Sequence, residues 1–159
     1  GFVLPPPPPA AAPAAAAPGE PLVAVVFVNL PVEDVGRSVD FFTTLGLPVD
    51  PLPEDGASAT LVVGTEVVVL LLQRERFAAL APGPVASPGD PREVVVCLPA
   101  TSREGVDDLV ARAETAGGAR PEPVQDDGSV YRRTFLDPDG HAWGVLWMEP
   151  DDGAPAAEG

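Results

Sequence analysis

The chain has 159 residues and a formal net charge of −15, and all nine of its basic residues are arginine. This length suits one domain of ordinary size. The negative charge opposes sequence-independent attraction to nucleic acid and to anionic membranes, so we expect neither as a partner. No apolar run approaches the roughly 20 residues that span a bilayer, and no secretory signal is recognisable, which makes the cytoplasm the expected location.

Residues 1–21 form a low-complexity segment rich in proline and alanine, with a proline run at Pro5–Pro9. Such a run favours polyproline II, so we predict a disordered or semi-rigid tail, with a proline-rich ligand for a partner as the alternative. Residues 150–159 are acidic and are predicted to be frayed. One domain is expected between them, at 22–149, built of a first module at about 22–76 and a second module at about 92–149.

The first module opens with an apolar strand at Leu22–Leu30, and Asp34 is a candidate N-cap for an amphipathic helix. Gly46 provides the left-handed residue that ends this helix. Two further β-like runs follow at Ala59–Gly64 and Glu66–Gln73. The module therefore reads as a strand, a helix and then two or three strands.

The second module repeats this order after a linker at residues 81–92 that is rich in proline, glycine and alanine. Its helix begins at Thr101 or Ser102 and ends at Gly117 and Gly118. Its strands and the turn between the last two are Glu93–Leu98, Ser129–Leu136, Asp137–Gly140 and His141–Met148. The repeat predicts an α+β fold in which a helix covers one face of each sheet and the other faces enclose a pocket.

Three motifs carry a family resemblance. They are V-x-D-x-x-R-S-x-x-F-F-x-x-L-G at Val32–Gly46, A-G-G at Ala116–Gly118, and F-x-D-P-D-G-H-x-W at Phe135–Trp143. Together they resemble the vicinal oxygen chelate superfamily of glyoxalase I, bleomycin-resistance proteins and extradiol dioxygenases, and especially small bacterial predicted lactoylglutathione lyases. The resemblance implies two βαβββ modules in a cupped, eight-stranded mixed sheet with helices on its outer face, usually as a homodimer.

In catalytic members the resemblance also implies a divalent metal held by His, Gln or Glu on the first and last strands of each module. The matching positions here are Phe27, Val69, Val94 or Val95, and Gly144. Hydrocarbon and glycine offer no side-chain lone pair to a metal, so we predict that the metal cofactor is absent. Gly144 also stands where a glyoxalase-type proton transfer would need its carboxylate base.

Side-chain alternation along strands predicts the lining of the pocket. The candidates are Phe27, Asn29, Val69, Val95, Tyr131, Arg133, Gly144 and Leu146. Arg133 is predicted to hold a carboxylate or phosphate through its planar guanidinium and Asn29 to orient it, the alternative being that Arg132 and Arg133 are ordinary solvated charges.

Three other residues are expected to be structural. Trp143 and Trp147 should face the helix layer, and Cys97 should be a small buried hydrophobe. The functional expectation is a metal-free protein that binds a small, partly apolar molecule between its modules. The alternatives are a glyoxalase-type lyase or isomerase with an atypical site, for which no catalytic residue is assigned, and a structural or regulatory homodimer.

Overall fold

The computed structural model describes residues 17–20, 25–52, 56–120 and 123–151. The predicted tails, 1–21 and 150–159, lie outside these ranges except at 17–20 and 150–151. The described elements, in chain order, are β1 (Val26–Val32), α1 (Val35–Thr44), β2 (Val49–Pro51), β3 (Ser58–Val62), β4 (Val67–Gln73), α2 (Arg74–Leu80), β5 (Val95–Pro99), α3 (Arg103–Thr115), β6 (Gln125–Asp126), β7 (Val130–Leu136) and β8 (Ala142–Met148).

The strands form two four-stranded mixed sheets with the same internal order, β1-β4-β3-β2 and β5-β8-β7-β6. The pairs β1–β4 and β5–β8 are parallel, and the other neighbouring strands are antiparallel. This twofold repetition confirms the predicted α+β fold of two βαβββ modules with eight strands. Among the described residues no ladder joins the two sheets, so the strands do not form one continuous hydrogen-bonded sheet.

The two long helices begin and end where their capping residues predict. The Asp34 carboxylate accepts a hydrogen bond from the Arg37 amide at 3.0 Å, and Gly46 follows α1 with a φ of 81°. Ser102, rather than Thr101, caps α3 by accepting from the Gly105 amide at 2.9 Å. Both caps satisfy backbone N–H groups that the first turn of a helix leaves without partners.

The sequence patterns missed three short elements: α2, β2 and β6. The seven-residue helix α2 buries none of its residues, and its N-cap, Gln73, makes no side-chain capping bond. It therefore carries neither the apolar stripe nor the cap that predicts a helix. Helix α2 nevertheless packs against β1 and β4, next to the site described below.

A single hydrophobic core spans both modules on the helix side of the sheets. Phe42 of α1 meets Trp143 of β8 edge to face, with ring centroids 5.0 Å apart, and Phe135 stacks on Trp143 at 6.3 Å. Trp143 is fully buried and Trp147 packs against the same core, as predicted. Helix α1 of the first module therefore packs directly on the sheet of the second module.

The Asp137–Gly140 turn joins the two modules through a buried carboxylate. Asp139 accepts hydrogen bonds from the Glu33 amide at 2.8 Å, from Arg37 Nη2 at 3.0 Å and from Ser38 Oγ at 3.4 Å. His141 Nε2 lies 2.6 Å from the carbonyl oxygen of Pro31 and donates to it. The start of α1 is thus completed by a side chain from the other module.

The same turn is held internally by Asp137. Its carboxylate accepts from Trp143 Nε1 at 3.0 Å and from the amides of Asp139 and His141. Burial raises the pKa of Asp137, while the charge of His141 and these donors act in the opposite direction. The aspartates of this motif are therefore explained by structure rather than by chemistry.

Candidate functional site

The strand register sorts the side chains of each sheet onto a helix face and an open face, the open face being the one opposite α1 and α3. In the second sheet, Leu98, Trp143 and Val145 belong to the core, so their neighbours in the strands point the other way. The open face of the second sheet consists of Val95, Cys97, Pro99, Gln125, Val130, Arg132, Thr134, Leu136, Ala142, Gly144, Leu146 and Met148.

Arg132 is the one cation on this open face, and its guanidinium lies over Gly144. A Cβ atom built on Gly144 would come within 3.2 Å of Arg132 Nη2 and 3.3 Å of its Nε, and within 2.9 Å of Cys97 Sγ. Real Cβ atoms essentially never come closer than 3.0 Å to such a neighbour. Glycine at this position therefore leaves the space that Arg132 and Cys97 occupy.

Arg132 also differs from the other arginines in having no partner in the described part of the chain. The other eight arginines bond through their side chains to carboxylate, hydroxyl or carbonyl oxygens. The Nε of Arg132 is buried and makes no hydrogen bond; the Nε of Arg133 is also buried without one, but the Nη1 of Arg133 binds Asp107. A buried donor without a partner costs free energy, and an acceptor that bonds to Arg132 would offset that cost.

The predictions for Tyr131 and Arg133 are wrong, because both lie on the helix face. Arg133 Nη1 donates to the Asp107 carboxylate of α3 at 2.8 Å, and the Tyr131 hydroxyl donates to the same oxygen at 2.7 Å. Burial opposes the ionisation of Asp107, but the bonds from Arg133 and Tyr131 outweigh it and lower the pKa. These two side chains therefore fasten α3 to the second sheet.

The open face of the first sheet is more apolar. The register pairs Phe27 with Val68 and Asn29 with Leu70 on this face, whereas Val69 belongs to the core and is fully buried. The prediction that Val69 lines the pocket is therefore wrong by one position in β4. Phe27, Asn29, Val95, Gly144 and Leu146 lie on the open faces, and their contact with a ligand stays a prediction.

Cys97 is exposed, which contradicts its expected burial. It pairs with Gly144 in the parallel β5–β8 ladder, so both lie on the open face and not in the core. Apolar neighbours in a strand predict that a cysteine is buried only if other elements cover both faces of the sheet. Here α3 covers one face and leaves the thiol beside Arg132.

A groove of about 250 Å³ lies where the ends of the two sheets meet α2 and the linker. It is lined by residues that include Asn29 of β1, Phe77 of α2 and Val96 of β5. Arg74 and Arg92 also line it, but their guanidinium groups bond to the carbonyls of Ala86 and Gly140 and so hold the loop in place. The groove brings Asn29 next to the second module.

Comparisons with known proteins support the family resemblance. Residues 24–64 match the family described as Bleomycin resistance protein-like N-terminal. A hypothetical protein from S. aureus superposes with a TM-score of 0.70 at 26% identity, over 80% of this chain and 96% of the other. A glyoxalase-related enzyme from Fulvimarina pelagi superposes with a TM-score of 0.66 at 19% identity, over 79% and 88%.

A third structure, a glyoxalase/bleomycin resistance protein from Albidiferax ferrireducens T118, superposes with a TM-score of 0.59 at 20% identity, over 77% of this chain and 96% of the other. The chain has the vicinal oxygen chelate fold. The resemblance predicted from the motifs is thereby confirmed. No curated protein sequence matches the chain significantly.

The side chains present do not fit the metal that catalytic proteins of the vicinal oxygen chelate fold would carry. Phe27, Val95 and Gly144 occupy three of the implied positions on the open faces, and the fourth strand offers Val68 or Leu70 there. None has a side-chain donor atom for a divalent cation. The described residues also contain no group of three or more His, Cys, Asp or Glu side chains that could hold a metal ion.

Arg132 is the residue that reasoning from the sequence missed in this vicinal oxygen chelate fold. One signal in the sequence could have identified it. Phe135 is a large apolar side chain that must face the core, and residues 131 and 133 share its face by alternation. Residues 132 and 134 then lie on the open face, so the buried aromatic fixes the direction of both arginines.

Proposed function

We propose that this protein binds a small, partly apolar molecule on the open faces of its two sheets, without a metal cofactor. Large apolar side chains on these faces remain in contact with water, among them Phe27 (42% exposed), Val95 (43%) and Met148 (63%). Water contact at such residues is unfavourable and is relieved when an apolar ligand covers them.

One observation carries the proposal: an unpartnered cation, Arg132, lies among the mostly apolar side chains of these faces. A hydrophobic core would exclude a charged group that has no partner. The combination of hydrocarbon and a few convergent polar groups is typical of small-molecule sites. The names of the structural neighbours, glyoxalase and bleomycin resistance protein, are compatible with a site of this kind.

A neutral apolar fluorophore, N-phenyl-1-naphthylamine, tests the proposal. We expect its fluorescence to rise on binding to the wild-type protein, and Phe27→Ser to weaken that binding several-fold. The matched control is Leu80→Ser, because Leu80 is 67% exposed at the end of α2 and lies outside the open faces. Binding that is absent, or that both variants weaken equally, would overturn the proposal.

The metal-free state is tested separately by calorimetry of dialysed protein with Ni²⁺, Zn²⁺, Mn²⁺ and Fe²⁺. We expect no stoichiometric binding tighter than about 10 µM, roughly 7 kcal/mol. A tighter site would require donors that the open faces do not present. The homodimer implied by the resemblance stays a prediction, and light scattering of the intact chain tests it.

No helix in the described residues is both long enough and apolar enough to cross a membrane.

A further inference from the structure

We propose that the Arg132 guanidinium is a carboxylate-binding subsite on the open face of the second sheet, formed with Gly144, Cys97 and Thr134. This inference rests on the proposed binding function and names the charged group that the ligand carries. The remainder of the ligand would lie on the apolar side chains Val95, Leu146 and Met148 of the same face.

The first argument is the absence of a competing anion. The chain has 24 acidic residues and nine basic ones, so an arginine has many candidate partners. Arg133, the next residue, binds Asp107, whereas Arg132 has no ion pair or hydrogen bond in the described part of the chain. Its charge is therefore available to a molecule from solution.

The second argument is the space that the backbone provides. Gly144 has no side chain, and Arg132 Nη2 and Nε lie 3.2 and 3.3 Å from the point where its Cβ would be. Thr134 pairs with Gly144 across the β7–β8 ladder and points to the same face. The guanidinium thus lies against bare backbone, on the same face as the side chains of Thr134 and Cys97.

The third argument selects the kind of anion. A guanidinium presents paired N–H groups in a plane, which match the two oxygens of a carboxylate. The net charge of −15 makes the whole molecule repel multiply charged anions more strongly than singly charged ones. We therefore assign the subsite to a monocarboxylate and not to a phosphate ester.

Cys97 makes this subsite directly measurable, because it is the single cysteine of the chain and lies next to Arg132. Iodoacetate and iodoacetamide alkylate the same thiol and are similar in size, but only iodoacetate carries a carboxylate. A change in the reactivity of the thiol alters both rates alike. The ratio of the iodoacetate rate to the iodoacetamide rate therefore isolates the attraction of the site for a carboxylate.

We expect Arg132→Gln to lower this ratio about tenfold, the scale of one charge-assisted hydrogen bond. Arg132→Lys keeps the charge without the planar fork and should lower the ratio by less. The matched control is Arg120→Gln, which removes the same charge from a residue that pairs with Glu114 outside the open face. That control should change the ratio less than twofold.

Two results would overturn the subsite. One is an unchanged ratio in Arg132→Gln, and the other is an equal fall in Arg120→Gln, which would show a general effect of net charge. Circular dichroism checks that each variant is folded, and Arg132→Lys provides the answer if Arg132→Gln is not.

The neutral fluorophore separates this inference from the function on which it rests. Arg132→Gln should leave the binding of N-phenyl-1-naphthylamine within about twofold, because that probe has no charge to attract. Fluorophore binding with an unchanged alkylation ratio would reject the carboxylate subsite alone. A changed ratio without fluorophore binding would reject the apolar site alone.

Discussion

The two modules share one order of strands and helix but differ in the side chains that β4 and β8 place on their open faces. Asn29 lies five residues before the N-cap Asp34, and Cys97 lies five residues before the N-cap Ser102. Asn29 pairs with Leu70 in the first sheet, and Cys97 pairs with Gly144 in the second. The first module therefore has leucine where the second has glycine, over which Arg132 and Cys97 lie.

The same contrast extends to the arginines. Ser58, which occupies the first-sheet position that corresponds to Arg132, accepts a hydrogen bond from Arg76 of α2 at 3.0 Å. In the described residues of the second module no helix follows the last strand, and Arg132 itself reaches over the sheet. Corresponding positions in the two modules thus lie on the same face of their sheets, while the residue types at those positions differ.

The largest effect is expected at Asp139, in the turn through which the second module binds the start of α1. Asp139→Ala leaves the Glu33 amide and the Ser38 hydroxyl without their buried partner, so stability should fall by about 2–4 kcal/mol. Urea unfolding measures this loss. Asp34→Ala, which removes only an N-cap, should cost about 1 kcal/mol; an equal cost would contradict the intermodule role.

A substitution that makes the second module resemble the first is Gly144→Leu. The added side chain meets Cys97 Sγ and the Arg132 guanidinium, and strain of this kind costs about 1–3 kcal/mol. The iodoacetate to iodoacetamide ratio should fall as in Arg132→Gln, because the guanidinium is displaced. Gly64→Leu, at an exposed glycine with open space around it, provides a control for the larger residue. A normal ratio in Gly144→Leu would show that the glycine is not required.

The neighbouring arginines provide a smaller but sharper test. Arg133→Leu should lower the stability by about 1–2 kcal/mol, because it removes the bond from β7 to Asp107 on α3. Arg132→Leu should leave the stability unchanged or slightly higher, since it removes a buried donor that has no partner. Thermal unfolding of the two variants compares them, and the reverse order would invert the assigned faces of β7.

The smallest effect concerns pH. The pKa of Asp107 is lower in the folded chain than its ordinary value of 3.8, despite the opposing effect of burial. The stabilisation is therefore complete above the unfolded value and is lost as the pH falls through the lower folded value. Asp107→Asn should make stability fall slightly less steeply at acidic pH, and the effect is small because the carboxylate is 48% exposed. An unchanged dependence of stability on acidic pH would show that the pair of Asp107 with Arg133 contributes nothing there.

Much of the fold could be predicted because its signals are local. Asp34 and Gly46 mark the two ends of α1, and the repeated order of strand, helix and strands indicates the duplication. Helix α2 could not be predicted in this way, since it lacks a side-chain cap and buries no residue. Its position depends on packing against β1 and β4, which no local pattern reveals.

The candidate site was harder to predict because a shift of one residue reverses a strand's faces. The assignment of Phe27, Asn29 and Gly144 to the open faces agrees with the register. It failed for Val69, Tyr131 and Arg133, because no residue known to face the core was used to decide which side chains of β4 and β7 point towards it. For β7 such a residue is Phe135. For β4 both faces are apolar, so only the pairing with β1 decides which valine faces the core.

The bond from Asp139 to the start of α1 has a consequence for a chain that is cut. The linker at 81–92 is largely exposed, so a protease could cleave it without touching the core. We expect the two fragments to stay associated as a non-covalent pair, because the aromatic core and the buried carboxylate of Asp139 join them. The same feature makes this chain a natural starting point for a bipartite reporter whose halves regain the site only on meeting.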